Sequence, residues 1–285
     1  MDIPEQVAEK LRTCELPPLS DLTQKIIHMT QDMYADPSDI AKLVKMDMSL
    51  SASVLKLANS VAFGYSGKVS SVVEAINRVG VSKMRDMVLS LSLVQQFKEL
   101  EGIDFAQFWK HSLAVALASE AIERHSTGKK MNKDHTYSAG LLHKIGIVLL
   151  AQNFPEEYQK VLHEVEKDEK DLWELEKEIL GVSHNEASHY VFDNWQFPQE
   201  VSHAALYYND PVYAPDALKE IIYTVHIANF ACLNQGISVG IDRFPESFFD
   251  DAWEYMKLHV SEIPEILEEV HDLADQASAI VKAAK

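Results

Sequence analysis

Two adjacent side chains near the middle of the chain, His143 and Lys144, carry the most chemical information. They interrupt the apolar run Ala139-Gly-Leu-Leu-His-Lys-Ile-Gly-Ile-Val-Leu150, which reads as one buried helix with a His and a charge at its centre. A His-Asp pair there would offer a divalent cation a neutral nitrogen and an anionic oxygen. Lysine reverses the second contribution, because a protonated amine has no lone pair to donate and repels a nearby cation. At an effective dielectric near 20, a unit charge about 4 Å from a dication costs on the order of 8 kcal/mol. Four more residues with ligand chemistry, His111, His184, His203 and Asn229, fall on other helix-patterned segments. A lone buried histidine is ordinarily a satisfied core residue. Five helices each placing an imidazole or a carboxamide at similar depth weaken that reading and leave a shared polar pocket open beside it.

The elements that must position these groups are all helical. Apolar residues recur at helical spacing from Leu19 to Tyr34, and Asp36-Pro37-Ser38-Asp39 starts a helix with proline in its first turn. The period continues through Leu50, Val54 and Leu55 to Asn59-Ser60, whose polar side chains can bond freed carbonyls, with Phe63 folding back as an apolar staple. Further helices are expected over Val72–Val79 closed by Gly80, from Ser82 to Phe97, from Asp104 to Arg124 and from Asp134 through His143. Others follow Pro155, Asp171, Ser183, Pro198 and Asp216. No segment alternates with period two for long enough to argue a strand, so the fold class is all-α. At the C-terminal end, Ile266, Leu267, Val270, Leu273, Ala274, Ala277 and Ile280 form an apolar stripe that must cover its own core or a partner.

Composition narrows the function classes. The 285 residues are 47% hydrophobic, sufficient for a sizeable core. Residues 1–100 carry 11 Lys and Arg against 12 Asp and Glu, so nearly all of the net charge of −18 belongs to residues 101–285. A nucleic-acid binder needs a basic face to displace counterions, and this balance argues against one. No apolar run approaches the ~20 residues of a membrane span. Two cysteines, Cys14 and Cys232, build no disulfide framework, and there is no glycine-rich phosphate loop. The acidic stretch 156–178 reads as a solvated amphipathic helix pair, and His184 and His189, five residues apart, do not share a helix face as zincin ligands would. A cytoplasmic protein is expected.

Together, Leu57-Ala-Asn-Ser60, Glu74-Ala-Ile76, Gly80-Val-Ser-Lys-Met-Arg85, Gly140-Leu-Leu-His-Lys-Ile-Gly146, Gly181-Val-Ser-His184, Trp195-Gln-Phe-Pro198 and Val225-His-Ile-Ala-Asn229 resemble the HDOD family, the HD-related output domains of bacterial signalling proteins. The resemblance implies a multi-helical HD-like core with an N-terminal helical lobe. It divides the chain into a tail (1–15), the lobe (16–100), a degenerate HD-like core (101–240) and a C-terminal extension (241–285). It also implies that His111, His143, Lys144 and Asn229 stand where HD phosphohydrolases hold metal with His, His, Asp and Asp, and that His184 and His203 match the extra histidines of some of those enzymes. Both anionic ligands have changed. Asn229 still offers an oxygen without charge, while Lys144 opposes a metal. The expectation is a non-enzymatic signalling module with a vestigial pocket, no cofactor and no bound metal, in which the ammonium replaces the lost cation and orders nearby imidazoles and a carboxylate such as Glu186 or Asp193. The partner is an unknown signalling protein, met through residues 46–97, with room for a small anion or nucleotide at Lys144. The alternatives are zinc held by His111, His143, His184 and His203, or an altered HD phosphohydrolase acting on a nucleotide or cyclic dinucleotide.

Overall fold

The computed structural model describes residues 5–14, 20–22, 24–25, 36–59, 68–81, 84, 88, 100–127, 135–165, 167, 170–241 and 248–284. Over these residues the chain is all-α; the single β-like pairing is an isolated bridge between Leu100 and Ile103. The expected helix from Ser82 to Phe97, most of the Leu19–Tyr34 segment, and Ser60, Phe63 and Asp134 lie outside the described residues.

The N-terminal lobe is built from short, well-capped helices. α1 (Glu5–Leu11) lies within the segment read as a tail. Its Leu11 is fully buried and the Lys10 ammonium reaches the carbonyl of Leu180. α2 (Pro37–Val44) starts where Asp36 accepts a 2.8 Å bond from the Ser38 amide, with Pro37 preset for the first turn. α3 (Met48–Ala58) ends at Asn59, whose amide group donates to the carbonyls of Leu55 (2.7 Å) and Val69 (2.9 Å) while its Oδ1 accepts from the Val69 amide (2.7 Å). One side chain thus satisfies the helix end and ties it to the chain ten residues on. α4 (Val72–Val79) is capped by Ser71 and stopped by Gly80 at φ +95°, a conformation that favours glycine. α4 packs on both α2 and α3.

The second part of the chain is organised around α5 (Phe105–His125). Asp104 caps it by accepting from the amides of Ala106 and Gln107. Every residue from His111 to Glu123 is buried, because α6 (Thr136–Leu142), α12 (Lys219–Asn234) and α14 (Ile263–Ala284) all pack against it. α7 (Ile145–Asn153), α8 (Pro155–Val165), α9 (Leu172–Leu180), α10 (His184–Asn194) and α11 (Gln199–Tyr207) complete this half, with α13 (Asp250–Met256) leading back to α14. Two glycines allow close approach. A Cβ on Gly140 would stand 2.7 Å from Ala116 Cα on α5, and one on Gly146 would stand 2.0 Å from the His184 carbonyl oxygen at the start of α10. Within the apolar stripe of α14, Ile266, Val270 and Ala274 are buried, and the helix packs on α5 and on α3 of the lobe.

Candidate functional site

The central run is two helices instead of the single one expected. α6 stops at Leu142 and α7 begins at Ile145, leaving His143 and Lys144 in the break, with Lys144 at φ −110° and ψ 15°. The physical cause is local competition. The carbonyl of Gly140, which a continuous helix would pair with the Lys144 amide, accepts a 2.6 Å bond from His143 Nδ1. The break turns both side chains inward, where His143 is fully buried and Lys144 is 3% exposed.

Four of the residues picked from sequence meet there. His111, on α5, donates from Nδ1 to the carbonyl of Ile237 (2.8 Å), so its Nε2 carries a lone pair and accepts from Lys144 Nζ at 3.2 Å. The same ammonium donates to Asn229 Oδ1 on α12 at 3.1 Å. That bond fixes the amide orientation, since the opposite one would set an NH2 group against the ammonium. Burial first, then the charge of Lys144 and the proximity of His111, hold the His143 pKa well below the ordinary imidazole range. His143 is therefore neutral, its one proton is on Nδ1, and its Nε2 lone pair faces Asn229 Oδ1 at 3.4 Å without a proton between them. Cys232, one turn along α12, lies within the field of Lys144; burial nonetheless pushes its thiol up to about 12.

His184 joins this centre through an intermediary. Its ring contacts Tyr208 OH at 2.8 Å, and Tyr208 meets His143 edge-on with ring centroids 4.7 Å apart. On the other side, His184 donates from its backbone amide and from Nδ1 to Glu176 Oε2, both at 2.6 Å, and Tyr158 OH donates to Glu176 Oε1 at 2.7 Å. Glu176 is fully buried. The acidic stretch 156–178 is thus not solvated throughout. The signal for this was present in the sequence: Glu176 stands one turn from both Leu172 and Leu180, on the apolar stripe of α9.

His203 does not reach the pocket. Its Nδ1 donates to its own helix at Gln199 (2.9 Å) and its ring abuts His189, 5.2 Å between centroids. His189 in turn bonds Ser202 Oγ at 2.6 Å, and Ser202 donates to Asp193 at 2.8 Å. The two carboxylates named as partners of Lys144 are engaged elsewhere: Asp193 in this second cluster, and Glu186 in the capping box of α10 with Ser183 and an ion pair to Lys177 at 3.2 Å.

A divalent metal of the HD type does not fit these residues. The position between His111 Nε2 and Asn229 Oδ1 is filled by an ammonium, and among the described residues no three His, Cys, Asp or Glu side chains converge to hold an ion. On the surface, a small open cleft is lined by Glu123, Glu200 and Glu220 with Thr136 and Thr224. Its acidity disfavours phosphate groups. No described helix is long and apolar enough to cross a membrane.

Over the described residues the helical architecture defines the class, an all-helical domain. The chain matches the HDOD domain family over residues 16–211 and belongs to it. It superimposes on a candidate signal transduction protein from Marinobacter aquaeolei VT8 with a TM-score of 0.79 at 23% identity, covering 98% of this chain and 65% of that one. A candidate phosphohydrolase from Shewanella amazonensis SB2B gives a TM-score of 0.78 at 20% identity, covering 96% and 97%. At these identities the likeness establishes a shared fold. An uncharacterized protein of Treponema pallidum (strain Nichols) is 24% identical over 218 residues, 76% of this chain and 42% of that protein. The chain therefore spans less than half of that curated relative and just under two thirds of the Marinobacter protein.

Proposed function

We propose that this HDOD protein is a non-catalytic regulatory module of the cytoplasm that acts by contact with another signalling protein. The observation that carries the reading is the pair of hydrogen bonds from Lys144 Nζ to His111 Nε2 and Asn229 Oδ1. Metal-assisted phosphoester hydrolysis needs a cation there to lower the pKa of a bound water, and a fixed ammonium supplies neither an open coordination position nor a Lewis acid. The contact surface falls within residues 46–97. Met46 and Met48, 75% and 86% exposed, lie in this segment and are adaptable apolar groups of a kind suited to docking.

The test is a panel of nucleotides, cyclic dinucleotides and simple phosphoesters, incubated with manganese or magnesium. The expected result is turnover no higher than that of His143→Ala. Reproducible turnover that His143→Ala abolishes would replace this reading with that of a metal-dependent phosphohydrolase.

A further inference from the structure

We propose that the groove under α1 is a docking site for a partner's amphipathic helix carrying a lysine followed by a leucine, and that α1 is the chain's own, exchangeable occupant of it. This surface belongs to a different part of the chain from residues 46–97. Docking there is independent of whether the buried pocket turns over phosphoesters.

Three elements build the groove: Phe154 at the end of α7, the Leu180 carbonyl at the end of α9, and the flank of α10, on which α1 packs. Lys10 engages the first two at once. Its ammonium stands 4.7 Å from the centre of the Phe154 ring and donates to the Leu180 carbonyl. Both features attract a cation, the ring through its negative face and the helix end through the carbonyls and dipole that collect there. The next residue, Leu11, is fully buried, and Cys14 packs against the same core. The groove thus reads a positive charge and a branched apolar side chain at adjacent positions of a helix.

The occupant is held loosely by comparison. α1 has seven residues, too few to stay helical without the surface it lies on. Among its described side chains Leu11 is the one fully buried, while Glu5 and Glu9 are exposed. The ion pair between Arg12 and Glu5 is open to water, at 58% and 78% exposure, and adds little. α1 also precedes residues 16–211, the stretch that matches the HDOD family, whereas Phe154, Leu180 and α10 fall inside it. The groove therefore belongs to the domain and its occupant is an appendage. Leu180 stands one turn from Glu176, the carboxylate that holds His184, so whichever helix fills the groove braces the support of the buried cluster.

The experiment uses the full chain in reducing buffer, with a fluorescent peptide of residues 1–15 as the probe. Leu11→Asp expels the resident helix, and this variant is expected to bind one equivalent of peptide at least about tenfold more tightly than the wild type, whose groove is filled. Peptides carrying Leu11→Ala or Lys10→Glu are expected to bind at least about tenfold more weakly than the unaltered one. A folded Leu11→Asp chain that takes up no peptide overturns the proposal, and so does binding indifferent to both peptide substitutions. Should Leu11→Asp fail to fold, amide exchange in the wild type decides. Amides of α1 that exchange at least about a hundredfold faster than those of α5 support an exchangeable occupant, and equal protection overturns it. A wild-type dimer that Leu11→Asp converts to monomer would make a second copy of this chain the occupant and overturn the assignment to a different partner.

Discussion

The pocket depends on a single buried charge. Replacing Lys144 by methionine keeps most of its volume and removes the donor that His111 Nε2 and Asn229 Oδ1 both use. We expect a loss of about 1–3 kcal/mol, measured as a shift in urea midpoint, because buried acceptors left unpaired retain their desolvation penalty. An unchanged midpoint would show that the ammonium contributes nothing there. The histidines make a second prediction. Burial depresses His143, His189 and His226 below the ordinary value of 6.5. The unfolded chain then binds more protons than the folded one below about pH 6.5, so stability is fully present above that pH and falls as it is lowered. The slope is up to about 1.4 kcal/mol per pH unit for each such histidine. Urea midpoints from pH 7.5 to 5 check it, and a flat profile contradicts it. His143, Lys144, His111 and Asn229 were legible in sequence because they are polar residues set in apolar helices. His203 was misplaced because residue type says nothing of helix phase, and Tyr208 was missed because a tyrosine beside another tyrosine reads as packing.

At the scale of elements, glycine and one carboxylate fix the helix spacing. Gly146→Ala gains about 1 kcal/mol of helix propensity at most. Against that, its new methyl group would meet the His184 carbonyl oxygen at 2.0 Å, backbone that cannot swing aside. The clash wins, and we expect a net loss on the order of 3 kcal/mol with α7 and α10 forced apart, read by calorimetry. Glu176→Gln keeps the shape but removes the charge that accepts from Tyr158 and twice from His184. A loss of about 1.5–3 kcal/mol is expected, confined by hydrogen exchange to α8, α9 and the first turn of α10. Helix starts at Asp36, Ser71, Asp104, Asp171 and Ser183 were legible because capping is a property of a few adjacent residues. The break at His143 was not. It arises from one side chain taking a carbonyl three residues back, and no pattern of hydrophobicity reports that.

The whole molecule carries a net charge of −18, concentrated after residue 100. Self-repulsion on that scale is relieved by screening, so raising salt from roughly 0.05 to 0.5 M should raise the melting temperature. A fall would mean that exposed pairs such as Arg124–Glu269 outweigh it.

The last consequence concerns folding order and follows from α14. This helix lies against α3 and α5, elements that precede it by roughly 200 and 140 residues in sequence. Such contacts close very large loops, and their entropy must be met before Ile266, Val270 and Ala274 gain any burial. The bundle around α5 can therefore collapse early, while its union with α3 waits for the most distant partner. In stopped-flow refolding, probes on α3 and α14 should report together, in a slower phase than probes within α6 and α7.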